Sequence, residues 1–315
     1  MKAPTKVERI CIVGCGLIGG SVALALRRAG FRGVLTAHDA PGPLQRAIER
    51  SVVDHPEDSF ANGTLCEADL LYLAAPIGAI LDFLRRHGRQ IRPGTLVTDA
   101  ASTKREICRV AVETLPAGVW FVGGHPMAGS EHSGVEYARA DLFDRAVYAL
   151  VPLASGSPWT PPEEKFSWLV SLIESIGARP LVTLAEEHDR AVALVSHLPQ
   201  LLATTLASLL ADPSSAEPSP EGAGEPHRQL ARRLAAGGWR DMTRLAGSSF
   251  SVWRDILITN QPMIRPILAR YIDQLQHLQE SLEQGDYQAL RQLFAEGNQS
   301  LQELRDVHYR PFEKL

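Results

Sequence analysis

Cysteine is scarce in this 315-residue chain: Cys11, Cys15, Cys66 and Cys108 lie apart, with no CxxC pair. No disulfide framework or zinc site is readable, so no metal is expected, only four reduced thiols of a cytosolic protein. Basic residues are not in excess, since 32 Lys and Arg stand against 36 Asp and Glu for a formal net charge of −4. That argues against a strongly basic nucleic-acid face, and no nucleic acid is expected as a partner. Uninterrupted apolar runs are lacking too. The most apolar long stretch, residues 191–210, is broken by Ser196, His197, Pro199, Gln200 and the paired Thr204 and Thr205. A membrane span of about 20 residues tolerates that poorly. The run Ile10-Cys11-Ile12-Val13 is short and passes at once into glycines, so it reads as a buried strand and not a secretory leader. No membrane is expected, and the expected location is cytoplasmic.

What is present is ordinary globular composition, 45% hydrophobic and 22% charged, at a length that suggests about two domains. Strands are expected over residues 7–13, 33–37, 69–74, 95–99 and 120–123, and helices over 20–29, 44–51, 77–87 and 104–115. Such alternation with continuously apolar strands predicts a parallel sheet covered on both faces. From about Pro161 the period turns helical. Ile264, Ile267, Leu268, Tyr271, Leu275, Leu278 and Leu282 recur at helical steps, and a second helix follows Gly285-Asp286 to about Arg305. A flexible loop is expected at about 211–227, where Pro, Ser, Gly and Glu predominate.

Gly14-Cys15-Gly16-Leu17-Ile18-Gly19-Gly20 follows an expected strand and opens an expected helix, the context that makes GxGxxG a dinucleotide-binding signal. Gly14 serves the tight turn, Gly16 the approach of a pyrophosphate and Gly19 close helix packing, while the helix start offers free N–H groups near Leu17 and Ile18. Ala75 and Pro76, closing the third clear strand, complete the expected cofactor contacts. Asp39 ends the second strand, where a carboxylate accepts bonds from ribose hydroxyls and repels a 2′-phosphate. NAD is therefore expected over NADP, with neighbouring Arg46 as the feature that keeps NADP open. The predicted fold class is an α/β Rossmann-type dinucleotide-binding domain over residues 1–154, followed by an all-α domain over 155–315. A methyltransferase or a redox-sensing regulator would share the first of these.

Ser102 and His125 follow the fourth and fifth strands, at the ends where ligands bind in open parallel sheets. His125 sits among glycines and before Pro126, as a structural loop histidine or a base near neutral pH. Ser102 fits a substrate-oxygen partner and a helix N-cap equally well. Residues 188–204 read as one helix with Asp189, Ser196, His197, Gln200 and Thr204 near one face and Val192, Val195, Leu202 and Leu206 opposite. The polar stripe either packs against other polar groups or lines a pocket. Pro199 should kink that helix. Arg240, Asp241 and Arg244 fit a surface salt-bridge face or a carboxylate-binding fork.

The glycine motif, Thr98–Lys104, the segment His125-Pro126-Met127-Ala128-Gly129-Ser130-Glu131, His188-Asp189, Ser196-His197-Leu198-Pro199 and Arg240-Asp241-Met242-Thr243-Arg244-Leu245-Ala246 occur in this order. Together they resemble the prephenate/arogenate dehydrogenase family over roughly residues 7–305. The resemblance implies NAD(P)-dependent oxidative decarboxylation of a cyclohexadienol on the route to tyrosine, and a homodimer formed through the helical domain. It makes His125 the base on the ring hydroxyl and Ser102 its partner on that oxygen. It places Ser130 and Glu131 at the pocket mouth, has Arg244 bind substrate with Asp241 steadying it, sets Trp253 near the pocket, and adds His188, His197 and Gln200 as substrate contacts. Gln200 stands where prephenate-using relatives often carry His, which leaves arogenate as an alternative substrate. At this length no appended catalytic or regulatory domain is expected. A non-catalytic NADH sensor would not need His125, Ser102 and Arg244 together. A β-hydroxyacid-type dehydrogenase would call for a lysine in the helical half, where none follows Lys165 until Lys314.

Overall fold

The computed structural model describes residues 7–130, 132–154, 156–211 and 227–309. The chain divides into two compact units, Met1–Ile264 and Arg265–Leu315. In the first, strands and helices alternate as β1 (Arg9–Val13), α1 (Leu17–Arg28), β2 (Val34–His38), α2 (Pro41–Glu49), β3 (His55–Pro56), α3 (Ser59–Asn62), β4 (Leu70–Leu73), α4 (Ile77–His87), β5 (Leu96–Asp99), α5 (Arg105–Thr114) and β6 (Trp120–Pro126). There follow β7 (Val147–Pro152), α6 (Glu163–Ser175), β8 (Arg179–Val182), α7 (Ala185–Val192), α8 (Leu198–Leu209), α9 (His227–Leu234), α10 (Gly237–Thr243) and the long α11 (Phe250–Gln284). α12 (Tyr287–Tyr309) lies in the second unit.

The eight strands form one sheet in the order β3-β2-β1-β4-β5-β6-β7-β8. Side chains alternate across it because the strand period is two. Ile10 and Ile12 of β1 enter one core with Leu35, Tyr72, Leu96 and Tyr148, while Cys11 and Val13 enter the other with Leu71, Leu73, Val97 and Phe121. Apolar packing on both faces is why these strands are apolar throughout. Three expectations change. β7 runs antiparallel to β6, because a loop and one short 3-10 turn at Val135–Tyr137 connect them in place of a crossover helix. The helical reading from Pro161 fails at β8, which pairs with β7 and carries the sheet beyond residue 154 to Val182. And His125 is not in a loop: it lies within β6, opposite Ala149.

Residues 185–209 form one unbroken helical run with a π turn at Ala193–His197. Pro199 has no N–H for the Val195 carbonyl, and the extra residue in the preceding turn absorbs that lost bond. By length and composition this run is apolar enough to cross a membrane, yet its inward face is polar: His188, Asp189, His197 and Gln200 are buried in the unit. The expected apolar face is split, for Val192 is buried while Val195 is 63% exposed. Of the expected loop at about 211–227, residues 212–226 lie outside the described residues.

In the second unit, the rest of α11 breaks at Gly285, which takes a left-handed φ of 66°. Asp286 Oδ1 accepts the N–H groups of Gln288 and Ala289 at 3.1 and 3.0 Å and starts α12. The helical periodicity read from Ile264 onward is present, but Leu282, Phe294, Leu301 and Leu304 are all more than half exposed or at half. An amphipathic pair of this kind leaves its apolar stripe without cover inside one chain.

Gly19 fixes the packing of α1 on β1. A Cβ there would stand 2.0 Å from the Gly14 carbonyl oxygen and 3.0 Å from Ile12. Backbone at that distance has no rotamer to retreat to. Gly19→Ala is expected to cost at least the roughly 1–3 kcal/mol of ordinary core overpacking, read as a lower denaturant midpoint. An unchanged midpoint would show that the turn yields freely.

Candidate active site

The glycine turn sits where β1 ends. Gly14 adopts φ 93° and a Cβ on it would lie 2.7 Å from the Ala75 nitrogen, so both conformation and space demand glycine. Its N–H donates to the His38 carbonyl at 2.9 Å, and the Cys15 N–H donates to Asp39 Oδ2 at 2.7 Å. The turn therefore joins the ends of β1, β2 and β4, with Ala75 and Pro76 at its rim. Gly16 is different: nothing lies within 4 Å of the position its Cβ would take. It is the N-cap of α1, with no side-chain cap and no acidic residue in the first turn. Open space over an uncapped helix start, beside half-buried Leu17 and Ile18, suits a diphosphate. Asp39 also accepts the Ala40 N–H, through Oδ1 at 2.6 Å, and its carboxylate keeps further lone pairs for ribose hydroxyls. Arg46 is engaged with Glu136, Nε to Oε1 at 2.6 Å.

At the carboxyl ends of β5 and β6 a buried polar network appears. Asp99 and Lys104 are fully buried and form an ion pair. Asp99 Oδ1 accepts the Gly124 N–H at 3.0 Å, Oδ2 accepts the Ala101 N–H at 2.9 Å, and Lys104 Nζ donates to the Gly124 carbonyl. These bonds fix the strand just ahead of His125. His125 Nδ1 lies 2.8 Å from His188 Nε2, and His188 Nδ1 lies 2.8 Å from Asp189 Oδ1. Asp189 also caps α5, accepting the N–H groups of Lys104 and Arg105 at 2.7 and 2.9 Å.

The tautomers follow from the end of this chain. A carboxylate only accepts, so His188 Nδ1 carries the hydrogen and its Nε2 accepts. His125 Nδ1 must then donate, which leaves the His125 Nε2 lone pair free. Burial first, then the charges of His188, Lys104 and His197, hold the His125 ring well below its ordinary pKa. It is a neutral acceptor at neutral pH, attached through His188 to a carboxylate, an arrangement suited to receiving a proton.

His197 belongs to the same network. Asn260 Nδ2 donates to the Asp189 carbonyl at 2.8 Å and lies 3.1 Å from His197 Nδ1, so the ring's N–H is on Nε2. Trp253 stands edge-on to it with centroids 5.8 Å apart. Gln200 spends its amide on protein partners. Its Nε2 donates to the Leu245 carbonyl at 2.8 Å and to Thr204 Oγ1 at 3.3 Å, and its Oε1 accepts from Ser248 Oγ at 3.2 Å. It thus ties α8 to the turn after Arg244. Arg244 itself is exposed. Among the described residues Asp241 has its ion pair with Arg240, at 4.0 Å and largely exposed, so the expected Asp241–Arg244 pair does not form. Ser102 is half-buried after β5, and Ser130 Oγ accepts the His132 N–H at 3.2 Å. Glu131 lies outside the described residues.

Sequence reasoning missed Asp99, Lys104 and Asn260 as parts of this site. Lys104 was legible only as a helix start, although a lysine two residues after Ser102 in an apolar neighbourhood was the available signal. Asn260, buried with Oδ1 unpartnered among the described residues, sits in α11 with no motif around it. Asp255, also in α11, accepts the Gly78 N–H at 2.9 Å.

Comparison with known proteins gives a consistent result. Residues 22–182 match the family model "Prephenate dehydrogenase, nucleotide-binding domain", and residues 184–296 match "Prephenate dehydrogenase, dimerization domain". A prephenate dehydrogenase of Lactococcus lactis is 31% identical over 96% of this chain and 78% of its own length. The crystal structure of prephenate dehydrogenase from A. aeolicus in complex with hydroxyphenyl propionate and NAD+ superposes with a TM-score of 0.83 at 26% identity, covering 96% of this chain and all of that one, or 100%. Synechocystis arogenate dehydrogenase gives a TM-score of 0.77 at 29% identity, over 94% of this chain and 99% of the other.

The network has a thermodynamic signature. Burial pushes the His197 ring down to about 4, against the opposing pull of Asp189. Unfolded, it titrates near about 6.5. Between those values the unfolded chain binds the extra proton, so stability is complete above about pH 6.5 and falls as pH falls. His197 alone is expected to remove about 2 kcal/mol between pH 7 and pH 5. Denaturant midpoints at both pH values for the native chain and for His197→Asn check this. An equal pH loss in both proteins would contradict it.

Proposed function

The chain belongs to the prephenate dehydrogenase family, and from that premise we propose that it oxidatively decarboxylates prephenate to 4-hydroxyphenylpyruvate with NAD, for tyrosine synthesis in the cytoplasm. The observation that carries the proposal is the Asp189–His188–His125 chain, which leaves one half-buried, neutral imidazole nitrogen free. That nitrogen is His125 Nε2. Arogenate, giving tyrosine, is the competing substrate, and a relative of each kind superposes on this fold.

Bound NAD would supply the acceptor for the hydride of ring C4. The rest falls to the protein. His125 Nε2 takes the C4 hydroxyl proton as the oxygen becomes a carbonyl, and the ring then aromatises with loss of CO₂. The imidazolium formed is stabilised through His188 by the Asp189 carboxylate, without moving a proton to it. Ser102 holds the same substrate oxygen. His197, as a neutral donor through Nε2–H, and Arg244, as a planar cation, hold substrate carboxylates. Trp253 closes the apolar side, and Ser130 stands at the mouth. The residues present fit NAD: the open position at Gly16 admits the diphosphate and Asp39 the ribose. With Arg46 paired to Glu136, a 2′-phosphate would meet Asp39 with no free cation from that residue. The exposed apolar stripe of α11 and α12, which begins in the part matched by the dimerization model and runs past its end at residue 296, supports a homodimer.

His125→Asn is expected to cut turnover by about 10²-fold or more while NAD binding holds; unchanged turnover would remove His125 from the chemistry. Since the His125 ring is held below its ordinary pKa, the acid limb of kcat/KM is expected below about pH 6.5. Arg244→Gln is expected to raise KM more than it lowers kcat, as for loss of a charge-assisted carboxylate bond. The deciding assay tests prephenate and arogenate, each with NAD and NADP. Turnover of arogenate alone would replace the substrate and keep the mechanism. Turnover of neither, with NADH still bound, would favour a sensor.

A further inference from the structure

The geometry points to a binding site for a thiophilic divalent cation, Zn2+ in character, formed by Cys11, Glu57 and Cys66, none of which belongs to the catalytic network. The Sγ atoms of both cysteines and a carboxylate oxygen of Glu57 all lie within 4.8 Å of one another. Sequence spacing hides the group, because it is assembled from β1, the segment after β3 and the bridge before β4. It departs from the expectation of four unrelated thiols and no metal.

Three features separate this cluster from a chance grouping. First, both cysteines are fully buried, 0% exposed, and Glu57 is half-buried. Among the described residues no Lys or Arg forms an ion pair with Glu57. Second, the carboxylate is already oriented. Thr36 Oγ1 donates to Glu57 Oε2 at 3.0 Å, and the Ser59 N–H donates to Oε1 at 3.2 Å. Outer partners of this kind aim a metal-binding carboxylate. Third, the Ser59 hydroxyl beside Cys66 is buried without a well-formed hydrogen bond. It, or a water, supplies the fourth ligand of a tetrahedral S₂O₂ set.

The donors stand on fixed backbone. Cys11 is in mid-β1, in register with Thr36 and Leu71. Cys66 is held by its N–H to the Gln90 carbonyl at 2.8 Å and bridges Ile91. A tetrahedral ion with Zn–S near 2.3 Å spaces its ligand atoms about 3.5–3.8 Å apart, so the group needs to contract by about 1 Å. Binding releases the thiol protons, and the two thiolates and the carboxylate become the ion's ligands with no change of oxidation state. The role is structural: the ion would pin the β1, β3 and β4 segments on the face that carries Phe60, Leu71 and Leu73.

The test is a Cd2+ titration of the reduced full chain, without a histidine tag, followed by the ultraviolet thiolate-to-metal charge-transfer band. One equivalent per chain is expected, competed away by Zn2+ and not by Mg2+, with an intensity that fits two thiolates. Cys15→Ala and Cys108→Ala should leave the band unchanged; Cys11→Ala and Cys66→Ala should each halve or abolish it. Glu57 is partly exposed, so Glu57→Gln should fold, keep the band and weaken binding about tenfold or more. Absence of a saturable band in the native chain overturns the site. So does an undiminished band in the folded Cys11→Ala/Cys66→Ala double variant.

Discussion

A carboxylate with no exposure has to be answered by donors on every side, and Asp189 is that group here. Stripping water from a carboxylate costs several kcal/mol. Two N–H groups at the start of α5, a histidine ring and the positive end of that helix together offset the cost. Each partner is thereby fixed. α5 gains the cap its own N-cap residue Lys104 does not supply. His188 is held in one tautomer, and His125 in turn. The network has to face inward, so the helix carrying it presents polar residues to the interior and leaves Leu194 and Val195 outside. Ordinary amphipathicity is inverted because a buried charge outweighs the transfer of a few apolar side chains.

The π turn belongs to the same constraint. Asp189 and His197 are eight residues apart, which at about 100° per residue would leave His197 about 80° off the Asp189 direction. The wider turn at Ala193–His197 advances the chain more slowly, at about 80° per residue, and brings His197 back into line. Asn260 bonding both the Asp189 carbonyl and the His197 ring shows the alignment. In a plain helix the residue on that line would be Ser196, which is instead half-buried.

Much of this was legible because local rules decide it. Gly14 and Gly19 each carry a steric reason visible in the motif, and the structure supplies both, while the space over Gly16 is open. β1, β2, β4, β5 and β6 follow from apolar runs bounded by turns, whereas β3, the two exposed residues His55–Pro56, gave no such run. β8 was not legible, since Arg179-Pro180-Leu181-Val182 is short, exposed in its second half and holds a proline suited only to a sheet edge. Strand His125 was misread because glycine and proline neighbours imitate a loop. Gly124 is needed there for another reason: a Cβ would strike the Asp99 carbonyl oxygen at 2.3 Å. Asp99, Lys104 and Asn260 were out of reach for a different cause. A buried polar residue is identified by its partners, and those partners are remote in sequence.

Prephenate and arogenate differ by one unit of charge on the side chain, so discrimination needs either a formal charge or free donors near that group. Two of the three rings in the network, His197 and His125, offer no charge at neutral pH, since His197 is held near about 4 and His125 well below its ordinary value. Gln200 offers few free donors, because its amide nitrogen already serves Leu245 and Thr204. On the proposed reading, selectivity then rests on Arg244 and on where its turn stands. Gln200 acts on that turn from behind, through the Leu245 carbonyl and Ser248. A histidine at position 200 would add a titratable ring but also cut those ties. A change in substrate preference on that substitution would therefore report the displacement of Arg244 as much as any new charge, and only a parallel shift in the Arg244→Gln background would separate the two.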